Sequence, residues 1–291
     1  MVTRVGPGIR RAEEQWGTVI TLDVRDDIDE EVIDGCFDWF RRVDDLFSTW
    51  RPDTEIMRIG RGTLLPEDAS PEVREVLDLC EQMRLESYGA FDISVGANPD
   101  LPARPGRAPL DPSGLVKGWA VAKAGEMLRN AGASSFFVTA GGDLVARGRP
   151  QHDEAGGWRV GVQHPWERDR VAAVLSISDR AVATSGRYER GEHIIDPRSG
   201  RPAEGLASVT VVGPDLAVAD AYATATMVLG PVDGMPWLAS RVGYEGMAIG
   251  DDRVVTTTVG KAPVERTSSI ASMQARRTYA DHRNAPDTDA W

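Results

Sequence analysis

The chain has 291 residues, enough for one large domain or two small ones with a sizeable core. Its 45 acidic and 33 basic residues leave a net charge of −12, which excludes the basic footprint of a nucleic-acid binder. An anionic ligand would therefore need a local positive device, such as a metal ion, a helix N-terminus or a few cationic side chains.

The first 14 residues read as a flexible start to a domain spanning 15–262. QWGTVITLDV (15–24) alternates like a strand. From Asp29 to Phe47 the apolar residues Val32, Ile33, Cys36, Phe37, Phe40, Val43 and Phe47 recur at helical spacing. Over 70–89 a second helix is expected, with Ser70 as cap, Pro71 at its first position and Gly89 past its end. Residues 97–110 hold four prolines in fourteen and read as a loop. A third helix follows over 114–132.

Strands then dominate. SSFFVTAGGDLVARG (134–148) predicts a hairpin with a Gly-Gly-Asp turn. WRVGVQHP, RVAAVLSISD, AVATSG and ASVTVVG continue the pattern. ADAYATATMVLG (219–230) predicts a helix, and GMAIG and RVVTTTV predict closing strands. Helices and strands mix without regular βαβ alternation, so the fold class is α+β rather than doubly wound. Residues 263–291 are polar and non-periodic and read as a flexible tail.

Cys36 and Cys80 fall at apolar helical positions and read as small buried hydrophobes. Two isolated thiols do not make a CxxC zinc site. No apolar run is long enough for a membrane span, and MVTRVGPGIRRAEEQWG lacks the apolar core of a signal peptide. A cytoplasmic location is the expectation.

Four stretches carry chemistry. In LDPSGLVKGWA (110–120) a turn runs straight into a helix, whose free N–H groups and dipole suit a phosphate. Lys117, one of only three lysines, sits one turn in; an ordinary capped helix with a surface lysine reads the same way. Gly141 and Gly142 let a flat ligand approach closely, or simply form a hairpin turn. Asp220 and Thr224, four apart, share a helix face. A carboxylate beside a hydroxyl suits a hard cation such as Mg²⁺, although an acidic residue near a helix start is also ordinary. His193 and Asp196 lie in HIIDPRSGRP, where a histidine near neutral pKa can accept a proton or hold its own turn.

Taken together and in order, STW, AFD, LDPSGLVKG, GGD, ATSGRYER, HIIDPRSGRP and ADAYATA resemble the ApbE family of FAD:protein FMN transferases over most of residues 15–250. The most specific piece is HIIDPRSGRP after ATSGxY. The resemblance implies an ApbE-like fold and two ligands, FAD as substrate and Mg²⁺. It implies transfer of the FMN half of FAD to a Ser or Thr hydroxyl of a target protein, with release of AMP. By matching motifs it assigns Trp50, Ala90, Phe91, Asp92, Asp111, Lys117, Gly141, Gly142, Asp143, Ser185 and Ile194 to FAD binding. It assigns the Gly114 carbonyl, Asp220 and Thr224 to the metal, with Asp220 and His193 as catalytic groups and His193 as the base.

Four departures stand out. Trp16 replaces the Met that usually contacts FAD, and Trp50 replaces a usual Tyr, each keeping an apolar or stacking surface. The 97–110 loop is shorter than the family's segment, and no export signal is seen. The same site acting on water would be an FAD diphosphatase. A non-catalytic FAD-binding protein would be expected to lack the metal pair or Lys117, and both are intact.

Overall fold

A computed structural model describes residues 2–95, 110–150, 156–190 and 194–258. The expected tail, most of the 97–110 loop and His193 lie outside the described residues.

Nine strands form one antiparallel sheet: β1 (Val2–Val5), β2 (Gly8–Gln15), β3 (Thr18–Val24), β4 (Phe136–Ala140), β5 (Asp143–Arg147), β8 (Arg180–Gly186), β11 (Leu206–Gly213), β12 (Glu245–Gly250) and β13 (Val255–Thr257), in that spatial order. Two hairpins stand apart, β6 (Trp158–Gln163) with β7 (Val171–Ile177) and β9 (Ile195–Asp196) with β10 (Arg201–Pro202). The helices are α1 (Glu30–Phe47), α2 (Glu55–Arg61), α3 (Pro71–Glu86), α4 (Ser113–Asn130), the single turn α5 (Arg187–Arg190) and α6 (Leu216–Ala239). A 3-10 turn spans Pro66–Asp68. The class is α+β, as the sequence pattern predicts. No helix among the described residues is long and apolar enough to cross a membrane.

Successive side chains of a strand point to opposite faces, and this separates two apolar layers. Ala181, Ala183, Val209 and Val211 join the main core with α1, α3, α4 and α6. Val182, Val212, Leu144 and Ile249 face the other way and meet Trp158, Val162, Leu175 and Ile177 of the β6–β7 hairpin. The sheet is thus covered by helices on one face and by a hairpin on the other.

Three differences from the sequence reading have physical causes. The expected flexible start is β1 and β2, and β2 pairs with β3 from Ile9↔Val24 to Gln15↔Thr18. Its Arg11 and Glu13 meet α1 through ion pairs with Asp34 and Arg41 rather than through apolar contact, so the strand shows no hydrophobic alternation. The expected strand over 15–24 begins instead at Thr18. Trp16 and Gly17 both adopt positive φ (57° and 68°) and make the two-residue turn of that hairpin. The last helix begins earlier and ends later than 219–230. Asp215 caps it by accepting the Val218 N–H, and the chain kinks at Gly230 (φ 75°) before continuing through Pro231.

Helices α4 and α6 run antiparallel at close range. A Cβ added to Gly114 would stand 3.1 Å from Thr224 Oγ1, and one added to Gly118 would stand 2.6 Å from the Leu216 carbonyl oxygen and 3.1 Å from Asp220 Cβ. Two glycines four apart on α4 therefore admit the face of α6 that carries Asp220 and Thr224.

Candidate active site

A cavity of about 530 Å³ opens between the α1–α2 connection, the segment after α3, the start of α4, the end of β8 and the first half of α6. Trp16, Trp50, Ala90, Phe91, Asp92, Asp111, Gly114, Lys117, Ser185, Ile194, Asp220 and Thr224 all line it. These are most of the residues assigned from the motifs, although they span some two hundred positions of the chain. Trp50 is 74% exposed and stands at the mouth, whereas Phe91 is buried in the wall.

The local chemistry builds the entrance to α4. Asp111 Oδ1 accepts the Ser113 N–H at 3.1 Å, which turns the chain into the helix. The Asp111 N–H donates to the Ile93 carbonyl at 2.7 Å and ties that turn to the segment carrying Phe91 and Asp92. Asp92 Oδ1 accepts the Ser94 N–H at 2.8 Å, and Ser87 Oγ accepts the Phe91 N–H at 2.9 Å. The result is a helix N-terminus opening on a cavity, with Lys117 one turn in. That is an anion-binding arrangement in a strongly acidic protein.

Opposite it lie the oxygens of α6 and β8. Ser185 Oγ and Thr224 Oγ1 are 3.1 Å apart. Asp220 Oδ2 accepts the Gly118 N–H at 3.3 Å. Burial pushes the Asp220 carboxyl well above its ordinary pKa and the nearby Asp143 carboxyl pushes the same way, while the Lys117 ammonium and the Gly118 N–H pull it back. A buried carboxyl held back from ionising is one that a divalent cation would restore to its charged form. The donors at hand are a carboxylate, two hydroxyls and the backbone at Gly114, all hard oxygens. Among the described residues no three His, Cys, Asp or Glu side chains converge on one point. The set therefore suits a hard, Mg²⁺-like ion rather than a soft metal.

Three assignments are placed elsewhere. Gly141 and Gly142 are exposed in the β4–β5 turn and do not line the cavity. Asp143 is fully buried beneath the floor, 3.0 Å from Lys117 Nζ, and does not line it either. His193 lies outside the described residues, although its neighbours Ile194 and Ile195 line the cavity. Residues that sequence reading missed include Thr18, Phe47, Ser113, Val116 and Thr184, which join the lining, and Gly118 behind Asp220. Gly118 had a signal in its four-residue spacing from Gly114; the others had none.

The sequence model of the ApbE family matches residues 16–101 and 98–248. The chain belongs to the ApbE family. Its ApbE relatives include the FAD:protein FMN transferase of Klebsiella pneumoniae (strain 342), 30% identical over 240 residues, which cover 65% of this chain and 68% of the relative. The enzyme of the same name from Escherichia coli (strain K12) is 29% identical over the same coverage. The solved flavin transferase ApbE from Vibrio cholerae superposes with a TM-score of 0.73 at 23% identity, over 86% of this chain and 96% of that one. The ApbE protein of Thermotoga maritima gives 0.73 at 21% identity, over 86% and 96%. These solved structures establish the ApbE fold for the chain.

Proposed function

We propose that this ApbE-family protein is an FAD:protein FMN transferase: it moves the FMN moiety of FAD to a Ser or Thr hydroxyl of a target protein and releases AMP, in a reaction that needs Mg²⁺. The observation that carries this reading is the meeting, in one cavity, of the α4 N-terminus and Lys117 with Asp220, Thr224 and Ser185.

The diphosphate of FAD is the part of the substrate this arrangement suits. The first turn of α4 offers N–H groups and Lys117 an ammonium, and together they hold and orient phosphate oxygens. Asp220, Thr224 and the Gly114 carbonyl would hold Mg²⁺, which when bound offsets negative charge on the diphosphate and on the departing AMP. The apolar wall of Phe47, Phe91 and Ile194 suits the flavin ring, and Trp50 at the mouth offers it a stacking face. The cavity opens beside Trp50, so an acceptor hydroxyl reaches the phosphorus from that side. His193, the base implied by the family resemblance, takes the hydroxyl proton in this reading, a contribution of ~10²–10⁴-fold. Four residues of the run over 180–202 supply the floor in this reading: Thr184, Ser185, Ile194 and Ile195 all meet the ligand space.

The test is intact mass spectrometry of a flavin-carrier domain bearing an acceptor Thr, incubated with the protein, FAD and Mg²⁺. A mass gain equal to FMN that EDTA abolishes is the expected result. FMN and AMP in solution with no carrier adduct would instead mark a diphosphatase. Bound FAD with no AMP from several carriers would mark a binding protein.

A further inference from the structure

Asp143 begins β5 immediately after the Gly141–Gly142 turn, and it has no exposed surface. Its Oδ1 accepts the Thr184 N–H at 3.1 Å, and its Oδ2 lies 3.0 Å from Lys117 Nζ. Lys117 differs from it. Lys117 lines the cavity and keeps 21% of its side chain open. One end of this ion pair is sealed in the fold and the other is in the ligand space.

That asymmetry separates the possible roles. A contact of the flavin or the phosphates must present an atom to the cavity, and Asp143 presents none. The lysine stem has four rotatable carbons, and its ammonium is a point charge without fixed direction. Binding an anion with it is efficient only if the stem is already ordered. Asp143 is well placed to order it. Its backbone is set by the Ala140↔Asp143 pairing of β4 and β5, and its carboxyl by the backbone of β8, whose Thr184 itself lines the cavity.

We infer that Asp143 is a positioning residue that holds the Lys117 ammonium toward the diphosphate of the bound dinucleotide, and that the Gly141–Gly142 turn serves to bring Asp143 under the floor. The identity of the dinucleotide rests on the transferase reading; the coupling of Asp143 to Lys117 does not.

A double-mutant cycle tests it. Asp143→Asn keeps the size and an oxygen for the Thr184 N–H but removes the charge. Lys117→Met removes the ammonium. The first readout is the Kd for FAD by protein fluorescence, with Mg²⁺ and no acceptor protein, and the second is kcat/KM for FMN transfer. Asp143→Asn is expected to weaken FAD binding about tenfold in the native background and less than about twofold in the Lys117→Met background. Equal losses in both backgrounds would mean that Asp143 acts on the fold or through the neighbouring Asp220 and not through Lys117, and would overturn the inference, as would unchanged FAD binding. If Asp143→Asn does not fold, Asp143→Glu keeps the charge while displacing it, and its loss must also vanish without Lys117. A wild-type protein that binds FAD but transfers no FMN would defeat the functional reading and leave the cycle readable; one that binds no FAD would defeat both.

Discussion

Replacing Gly118 by Ala asks how closely α4 and α6 must approach. The new Cβ would stand 2.6 Å from the Leu216 carbonyl oxygen, roughly 0.8 Å short of ordinary contact. That oxygen belongs to the backbone of the first turn of α6 and cannot swing aside as a side-chain tip does. Helix α6 must retreat there by a comparable distance, taking Asp220 with it and breaking the Gly118 N–H bond to Asp220 Oδ2. Overpacking costs about 1–3 kcal/mol, while Ala in a helix gains about 1 kcal/mol over Gly. The net loss is about 1 kcal/mol, or a melting point lower by roughly 2–4 °C. Catalysis should suffer far more, because a misplacement of ~1 Å at a reacting group costs on the order of 10²-fold. Gly125→Ala is the control. Its Cβ would meet the Val145 side chain at 3.0 Å and Phe136 at 3.5 Å, away from the cavity. The assay pairs thermal melts with FMN transfer to a carrier. Transfer by Gly118→Ala within twofold of wild type, or equal losses in both variants, would refute the reasoning.

Other perturbations give separate readouts. Asp220→Asn should reduce transfer at least about 10²-fold and raise the Mg²⁺ concentration needed for half-maximal rate, because it removes the carboxylate among the assigned metal ligands; an unchanged Mg²⁺ titration would remove Asp220 from the metal site. Trp50→Ala should weaken FAD binding up to about tenfold, the worth of an aromatic stack, with stability within about 0.5 kcal/mol because the ring is largely exposed. His193→Ala should bind FAD normally and transfer FMN at least about 10²-fold more slowly, read by single-turnover kinetics. Asp26 anchors the start of β4. Burial raises its pKa, but hydrogen bonds from the Ser135 N–H, the Ser134 N–H and the Ser134 hydroxyl outweigh that and leave it below the ordinary carboxylate value. Its stabilisation is therefore full above the unfolded pKa and disappears as pH falls through the lower folded one. Asp26→Ala should cost about 1 kcal/mol at pH 7, with the gap to wild type closing below about pH 4 in urea melts.

The sequence by itself determined the long helices, the hairpin over 134–148 and the mixed α+β class. These follow from local rules, namely the 3.6-residue spacing along α1, Pro71 at the start of α3, and Gly-Gly between two apolar strands. It also named most of the residues that line the cavity, because Asp220 with Thr224 on α6, and Asp111 in the turn leading to Lys117 on α4, lie close together in sequence where geometry is local.

Only the tertiary structure decided how those pairs face one another. The charged strand β2 carried no hydrophobic pattern of its own and became sheet by pairing with β3, and β1 joined the sheet by pairing with β2. The spacing of Gly118 from Gly114 put both on one face of α4, but only the fold shows that α6 lies against that face. The family resemblance assigns Asp143 to FAD binding through the motif GGD. The sheet register turned its carboxyl inward beneath Lys117 and left the glycines at an exposed turn outside the cavity lining. A side chain's neighbours within four residues are set by backbone geometry, and sequence can name them. Its neighbours across a sheet or between helices are set by packing and register, which only the folded chain displays.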